Sequence, residues 1–88
     1  MSRLPNRDAW IAQRVLSGRA DTAIKFKDLR RLLVSLGFTE RTKGSHHIFS
    51  KTGVDELINL QRDGNNAKAY QVRQVRAILK RYDLAGGS

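Results

Sequence analysis

Between residues 38 and 61 the chain divides into three short runs with very few residues between them. The runs are Phe38–Lys43, Ser45–Lys51 and Glu56–Gln61, and each has the length of a β-strand. Gly44 and the pair Thr52-Gly53 supply turn residues after the first two. A parallel crossover needs a dozen or more residues, so connections this short predict three antiparallel strands in a meander.

The segment before these strands has the pattern of an amphipathic helix. Apolar residues recur at helical spacing, at Phe26, Leu29, Leu33 and Leu36. Gly37 then occupies the position of a helix C-cap glycine with positive φ, and Phe38 can fold back onto the last turn. We therefore expect the helix to end at Gly37.

A second amphipathic helix is predicted after the strands, from Tyr70 to Asp83. Its apolar stripe consists of Val72, Val75, Ile78, Leu79 and Tyr82, and its basic face of Arg73, Arg76, Lys80 and Arg81. The turn residues Asp63-Gly64-Asn65-Asn66 separate it from the last strand.

The N-terminal 25 residues predict one more short helix, from Asn6 to Leu16. Asn6 is expected to be its N-cap, because its side-chain oxygen can accept a hydrogen bond from the first turn. Trp10, Ile11 and Val15 are expected to share its apolar face.

These elements together predict an α+β fold in which helices pack on one face of a three-stranded antiparallel sheet. A chain of 88 residues has room for one compact core. We expect residues 1–25 to form an N-terminal extension, residues 26–84 the main domain and residues 85–88 a flexible tail.

The chain carries a large excess of positive charge. It has 17 Lys and Arg against 8 Asp and Glu, which gives a formal net charge of +9. Polyanions are the natural partners of such a chain. The alternative is that the charge only keeps the domain soluble. It fits less well, because the basic residues recur on helix faces and near two histidines rather than in one tail.

Several classes of function are excluded by what the sequence lacks. The absence of cysteine excludes disulfides, thiolate metal sites and cysteine nucleophiles, and it suits a reducing compartment. We find no apolar run of 18 residues and no recognisable signal peptide, so we expect no membrane association and a location in the cytoplasm.

Two adjacent histidines begin the second strand, in the segment Lys43-Gly44-Ser45-His46-His47-Ile48-Phe49. Adjacent strand residues face opposite ways, so His46 and Ile48 share one side while His47 and Phe49 share the other. The two imidazoles are therefore poorly placed to chelate one ion. We expect neither a metal nor another cofactor.

An imidazole at this position fits the cleavage of RNA through its own 2′-hydroxyl. Histidine can accept or donate a proton near neutral pH, and nearby cations can stabilise the charge that develops when the 2′-hydroxyl attacks the phosphate. Arg41, Lys43 and Lys51 are close in sequence and could hold phosphates. They could equally form a solvated strand edge that discourages aggregation.

The ordered set of these features resembles the HicA family. The set consists of a helix that ends in Leu36-Gly37-Phe38, the segment of residues 43–49, a third strand and a closing apolar and basic helix. It covers residues 26–84. Residues 1–25 exceed the family pattern, and the third strand lacks a proline that is often found there.

The resemblance implies an mRNA interferase toxin with a double-stranded-RNA-binding-domain-like fold. The Gly-Ser-His motif of that family supplies the catalytic histidine, and the matching residue here is His46. The resemblance also implies a HicB-type antitoxin as partner.

We therefore predict a metal-independent endoribonuclease that acts on mRNA, with His46 as general acid or base. The predicted RNA-binding residues are Arg41, Lys43, Gly44, Ser45, His47 and Lys51. A non-catalytic RNA-binding module, in which His46 only packs or hydrogen-bonds, is the alternative. A DNA recognition helix at Val72–Tyr82 is a weaker one, because three strands separate it from the preceding helix, whereas a helix-turn-helix needs a short turn.

Overall fold

A computed structural model describes residues 4–84 of the chain. The elements in chain order are α1 (Asn6–Ser17), α2 (Phe26–Ser35), β1 (Thr39–Lys43), β2 (His46–Lys51), β3 (Val54–Leu60), β4 (Arg62–Asp63), β5 (Asn66–Ala67) and α3 (Ala69–Arg81). The tail predicted at residues 85–88 lies outside the described residues. Among residues 4–84, no helix is long and apolar enough to cross a membrane.

The three main strands form one antiparallel sheet in the order β1-β2-β3, which confirms the predicted meander. Lys43 pairs with His46 across a two-residue turn. In that turn Gly44 has a φ of 61°, and the φ of Ser45 is not positive. Positive φ at the first central residue is the pattern of a type II′ turn, whose twist matches that of the flanking strands.

The helices cover one face of this sheet, as predicted for the α+β fold. The covered face contributes Phe49, Ile58 and Leu60, which are fully buried in one core with the helices. On the opposite face Leu57 is 62% exposed. This inner and outer alternation fixes which strand side chains meet solvent.

The end of α2 follows the predicted glycine cap. Gly37 has a φ of 98° and donates its N–H to the carbonyl of Val34, while Phe38 donates its N–H to the carbonyl of Leu33, each at 3.0 Å. These two bonds make a Schellman motif. Phe38 is buried in the core, and it directly precedes β1. Its burial therefore determines which side chains of β1 face the core.

Two expectations for α1 are wrong. Pro5 occupies the N-cap position and no side chain caps the helix, so Asn6 is its first helical residue. Trp10 is 57% exposed, with the Arg14 guanidinium carbon 4.9 Å from its ring centroid. The buried positions are 8, 11, 12 and 15, which have helical spacing, and Trp10 falls outside that stripe.

The N-terminal helix shares the core of the other elements. Ile11, Val15 and Ile24 are buried with the residues of α2 and α3. The Arg76 guanidinium of α3 binds both carboxylate oxygens of Asp21, at 2.8 and 3.1 Å, and donates to the carbonyl of Val15 at 3.1 Å. These hydrogen bonds from Arg76 lower the pKa of Asp21, against the opposing effect of burial.

A second, two-stranded sheet lies where the sequence predicted only turn residues. β4 and β5 pair around the turn residues Gly64 and Asn65. The segment before α2 joins this hairpin, because Phe26 N–H bonds the carbonyl of Asn65 and Ala67 N–H bonds the carbonyl of Ile24, both at 2.9 Å. Strands of two residues carry no alternating pattern that a sequence could reveal.

Candidate functional site

His46 and His47 lie on opposite faces of the sheet, as the strand geometry predicted. His46 is exposed on the outer face, directly across from Lys43 on β1. His47 is half-buried on the inner face, where its ring meets the ring of Phe26 edge-on at 4.8 Å between centroids. Its Nδ1 donates to Oε2 of Glu40 at 2.8 Å. The two imidazoles therefore have separate surroundings.

The His46 ring lies between two polar side chains from the end of β3. Its Nδ1 is 3.2 Å from Oδ1 of Asn59, and its Nε2 is 3.4 Å from Nε2 of Gln61. Oε1 of Gln61 in turn accepts from Nζ of Lys68 at 3.4 Å. The four side chains form one hydrogen-bonded row along the outer edge of the sheet.

The donor and acceptor roles in this row are mutually consistent. Because Lys68 can only donate, the oxygen of the Gln61 amide faces it and the nitrogen faces His46. An amide nitrogen donates, so Nε2 of His46 is the acceptor, and Nδ1 carries the proton that Asn59 accepts. The row therefore selects the tautomer that has its proton on Nδ1 and its lone pair on Nε2, where the Gln61 amide donates to it.

A buried glutamine fixes the backbone beside this row. Gln71, near the start of α3, is 2% exposed, and its Oε1 accepts the N–H of Gln61 at 2.9 Å. Its Nε2 donates to the hydroxyl of Tyr70 at 3.3 Å. The first turn of α3 thus holds the position from which Gln61 reaches His46.

Two cations of β1 share the outer face with His46, whereas Glu40 of the same strand lies on the inner face. Lys43 is opposite His46, and Arg41 is opposite Ile48, so both basic residues lie on the side of His46. Glu40 lies on the inner face, where Arg30 Nε donates to both of its oxygens at 2.8 and 2.9 Å. The hydrogen bonds from Arg30, and then from His47, lower the pKa of Glu40.

The other predicted RNA-binding residues are divided between the two ends of β2. Gly44 and Ser45 form the exposed turn next to His46. Lys51 ends β2 at the far end, about 17 Å away at roughly 3.4 Å per residue. There it lies so close to Gly37 that a Cβ on that glycine would come within 2.8 Å of Nζ. Lys51 is therefore not part of the group around His46.

Among residues 4–84 the structure contains no group of three or more His, Cys, Asp or Glu side chains that could hold a metal ion. This agrees with the separation of the two imidazoles. The polar groups at the site are the imidazole of His46, the amides of Asn59 and Gln61, and three cations, Arg41, Lys43 and Lys68.

Three residues of the site were missed by sequence reasoning, namely Asn59, Gln61 and Lys68. The alternation of β3 places positions 57, 59 and 61 on the outer face, so the face of the two amides could have been inferred. Their proximity to His46 depends on the pairing register of β2 with β3. Lys68 carries no local signal, since it lies between two elements.

Comparison with known proteins gives one finding. A family model described as HicA toxin of bacterial toxin-antitoxin matches residues 26–84. Searches of curated proteins and of solved structures gave no match. The matched segment begins at the first residue of α2 and contains β1, β2, β3 and α3, so it includes every residue of the row around His46.

Proposed function

The chain belongs to the HicA toxin family of bacterial toxin–antitoxin systems, and we propose that it acts there as a metal-independent endoribonuclease on mRNA. The observation that carries this proposal is the row Lys68–Gln61–His46–Asn59. It presents one exposed imidazole, whose Nε2 lone pair accepts from the Gln61 amide, among the cations Arg41, Lys43 and Lys68. None of these cations forms an ion pair with a carboxylate of residues 4–84.

The reaction that fits this geometry is attack of an RNA 2′-hydroxyl on the adjacent phosphate. Nε2 of His46 removes the hydroxyl proton as general base. The 2′-oxygen bonds to phosphorus, the bond to the 5′-oxygen breaks, and the departing oxygen takes a proton from water. Asn59 holds the ring orientation and stabilises the imidazolium through Nδ1–H, so this role requires no metal ion.

Negative charge that develops on the phosphate meets two cations and one amide donor that Lys68 already holds in place. Lys43 and Arg41 lie on the same face as His46, and the Gln61 amide nitrogen already points at it. Donors that are fixed before the reaction stabilise charge without reorganisation at the moment of reaction. We infer that Gln61 transfers its hydrogen bond from His46 to a phosphate oxygen when the 2′-hydroxyl takes its place at Nε2.

The remaining RNA contacts follow from position. Gly44 and Ser45 offer a turn without bulky side chains beside the reacting phosphate, together with one hydroxyl. His47 acts through Glu40 and Phe26 to hold β2 in place, and it reaches RNA less directly than His46 does. A contact from Lys51 requires an RNA that runs along the length of β2.

A toxin of such a pair is held inactive by its antitoxin. We infer that the partner is a HicB-type antitoxin that covers the outer sheet face, and that both act in the cytoplasm, where mRNA is found. An acidic partner would associate rapidly with this basic surface. Co-purification with the small protein encoded next to it in the genome tests this inference.

Incubation of an oligoribonucleotide with the purified chain tests the catalytic proposal. We expect cleavage by the wild type and none by His46→Ala, while both bind the RNA. Binding by both proteins without cleavage by either would show instead a non-catalytic RNA-binding module.

A further inference from the structure

A cleft of about 210 Å³ opens between the start of α2 and the β4–β5 hairpin. Its lining consists of Lys25, Lys27, Arg62 and Asn65. Three of these four residues are cations. The cleft is smaller than the roughly 300–1000 Å³ of pockets that take drug-sized ligands, so it suits a small group such as one phosphate.

The three cations of this cleft have no carboxylate within ion-pairing distance among residues 4–84. Five acidic residues are engaged elsewhere: Asp21 with Arg76, Asp28 with Arg7, Glu40 with Arg30, Glu56 with Arg81, and Asp8 with Ser35. Asp63 follows Arg62 in the chain but does not line the cleft. Like charges that converge without a counter-charge repel one another, so an anion that enters the cleft stabilises it.

Arg62 is held in place before any ligand arrives. Its guanidinium carbon lies 4.5 Å from the ring centroid of Phe26, a fully buried residue at the start of α2. Stacking on a ring fixes the guanidinium plane and leaves its edge free to donate hydrogen bonds. An anion in the cleft would therefore meet a donor that is already oriented.

The cleft and His46 lie at the same end of the sheet. Arg62 directly follows Gln61, whose amide contacts His46. The Phe26 ring, on which the Arg62 guanidinium stacks, also contacts His47, the neighbour of His46 in β2. A polymer that places one phosphate at His46 can therefore place another in the cleft by passing around this end of the sheet.

We propose that the cleft of Lys25, Lys27 and Arg62 binds a backbone phosphate of the RNA substrate, at a nucleotide removed from the one that is cut. The inference rests on the proposed ribonuclease function for the identity of the polymer. It assigns the cleft to binding and leaves the chemistry to His46.

The salt dependence of RNA binding tests this proposal. Binding of a single-stranded oligoribonucleotide is measured over a range of salt concentrations in a His46→Ala chain, with and without Lys25→Gln and Lys27→Gln. Each lost contact with a single strand reduces the slope of log K against log salt by about 0.7, so we expect a reduction of about 1.4 for the pair. Both side chains are exposed, so the fold is retained.

The matched control removes two cations from the exposed face of α3, with Arg73→Gln and Lys80→Gln in the same His46→Ala background. We expect the slope to stay unchanged. An equal reduction by both pairs would show a general effect of net charge and would overturn the cleft assignment, as would no reduction by the pair in the cleft.

Amide resonances distinguish the possible ligands. We expect RNA at micromolar concentration to shift the N–H signals of Lys27 and Asn65, and inorganic phosphate at that concentration to leave them in place. Shifts by phosphate alone, or by poly-glutamate and not by RNA, would assign the cleft to a free anion or to an acidic protein and overturn the proposal.

Cleavage assays separate this inference from the proposed function. RNA cleavage by the wild type, together with an unchanged slope in the cleft variant, would leave the ribonuclease function in place and remove the cleft from it. A reduced slope in the cleft variant, without RNA cleavage by the wild type, would keep the cleft as an RNA-binding site and remove the ribonuclease function.

Discussion

The Nδ1 atom of His46 lies 3.2 Å from the side-chain oxygen of Asn59 on the neighbouring strand. An amide oxygen can only accept, so this contact places a proton on Nδ1 and leaves the lone pair on Nε2, which accepts from the Gln61 amide. Many enzymes orient a catalytic histidine with a carboxylate, which also stabilises the imidazolium that forms. Here the orienting group is uncharged, and the surrounding charge is positive.

Replacement of each histidine by alanine in turn distinguishes a catalytic role from a role in stabilising β2. We expect His46→Ala to abolish RNA cleavage and growth arrest, and His47→Ala to keep a substantial part of both. The His47 variant loses its contacts with Glu40 and Phe26, at about 1–2 kcal/mol of stability. Cleavage rates, with thermal denaturation as the control for folding, check this. An inactive His47→Ala beside an active His46→Ala would reverse the assignment of faces.

Substitution of Asn59 tests the orienting contact. Asn59→Ala leaves the ring free to turn, and we expect a loss of up to roughly 100-fold in kcat with little change in KM. Asn59→Asp keeps the acceptor and adds a negative charge, which favours the imidazolium. The limb of the pH–rate profile that requires neutral imidazole should therefore move to higher pH. If both variants were fully active and the pH–rate profile of Asn59→Asp were unchanged, Asn59 would have no role in orienting His46.

Much of the fold follows from short-range patterns. Gly37 with Phe38 predicted the end of α2, and the spacing of Gly44 and Gly53 predicted the antiparallel meander. The tie between Asp21 and Arg76 spans 55 residues and has no local signal. Trp10 was misplaced because a large apolar side chain near an apolar stripe is hard to distinguish from part of it when the helix is short.

The candidate site was predictable in part. Alternation along β2 was enough to place His46 on the face opposite His47. The residue directly opposite His46 was not predictable, because a register shift lies between Phe49 and Lys51. A count from the Thr52-Gly53 turn places His46 opposite Asn59. The observed register is shifted by two residues along β3, so Gln61 lies opposite His46 and Asn59 contacts its ring diagonally.

Charge removal at the turn tests the proposed phosphate contacts near His46. In a His46→Ala background, Arg41→Ala with Lys43→Ala should lower the slope of log K against log salt by about 0.7 for each lost contact. Both side chains are exposed and lie on the outer face, so the fold should remain. Filter binding or fluorescence anisotropy over a salt series measures the slope. A slope equal to that of the parent would remove both residues from the RNA surface.

The ion pair of Asp21 with Arg76 ties the N-terminal segment to α3, and its contribution should depend on pH. The pKa of Asp21 is lowered in the folded chain, so its stabilisation is present above the unfolded value of about 3.9 and disappears as the pH falls through the folded value. At pH 7 we expect Asp21→Asn to cost about 2 kcal/mol. That lowers Tm by roughly 10 °C in a domain of this size. The difference in Tm between the two proteins should shrink below pH 4, and a constant difference would contradict the assignment.

The products of cleavage should identify the 2′-hydroxyl as the nucleophile. The site offers one accessible imidazole, two amides and cations, whereas activation of water by a metal ion requires several convergent ligands. We therefore expect RNA cleavage in excess chelator, with a 2′,3′-cyclic phosphate or its 3′-phosphate product upstream and a 5′-hydroxyl downstream. DNA of the same sequence lacks the nucleophile and should survive. Incubation of matched RNA and DNA strands, followed by tests of the RNA ends for phosphatase sensitivity and for a 5′-hydroxyl, measures each point. Cut DNA, 5′-phosphate ends or a strict need for added divalent metal would each remove His46 from the role of general base.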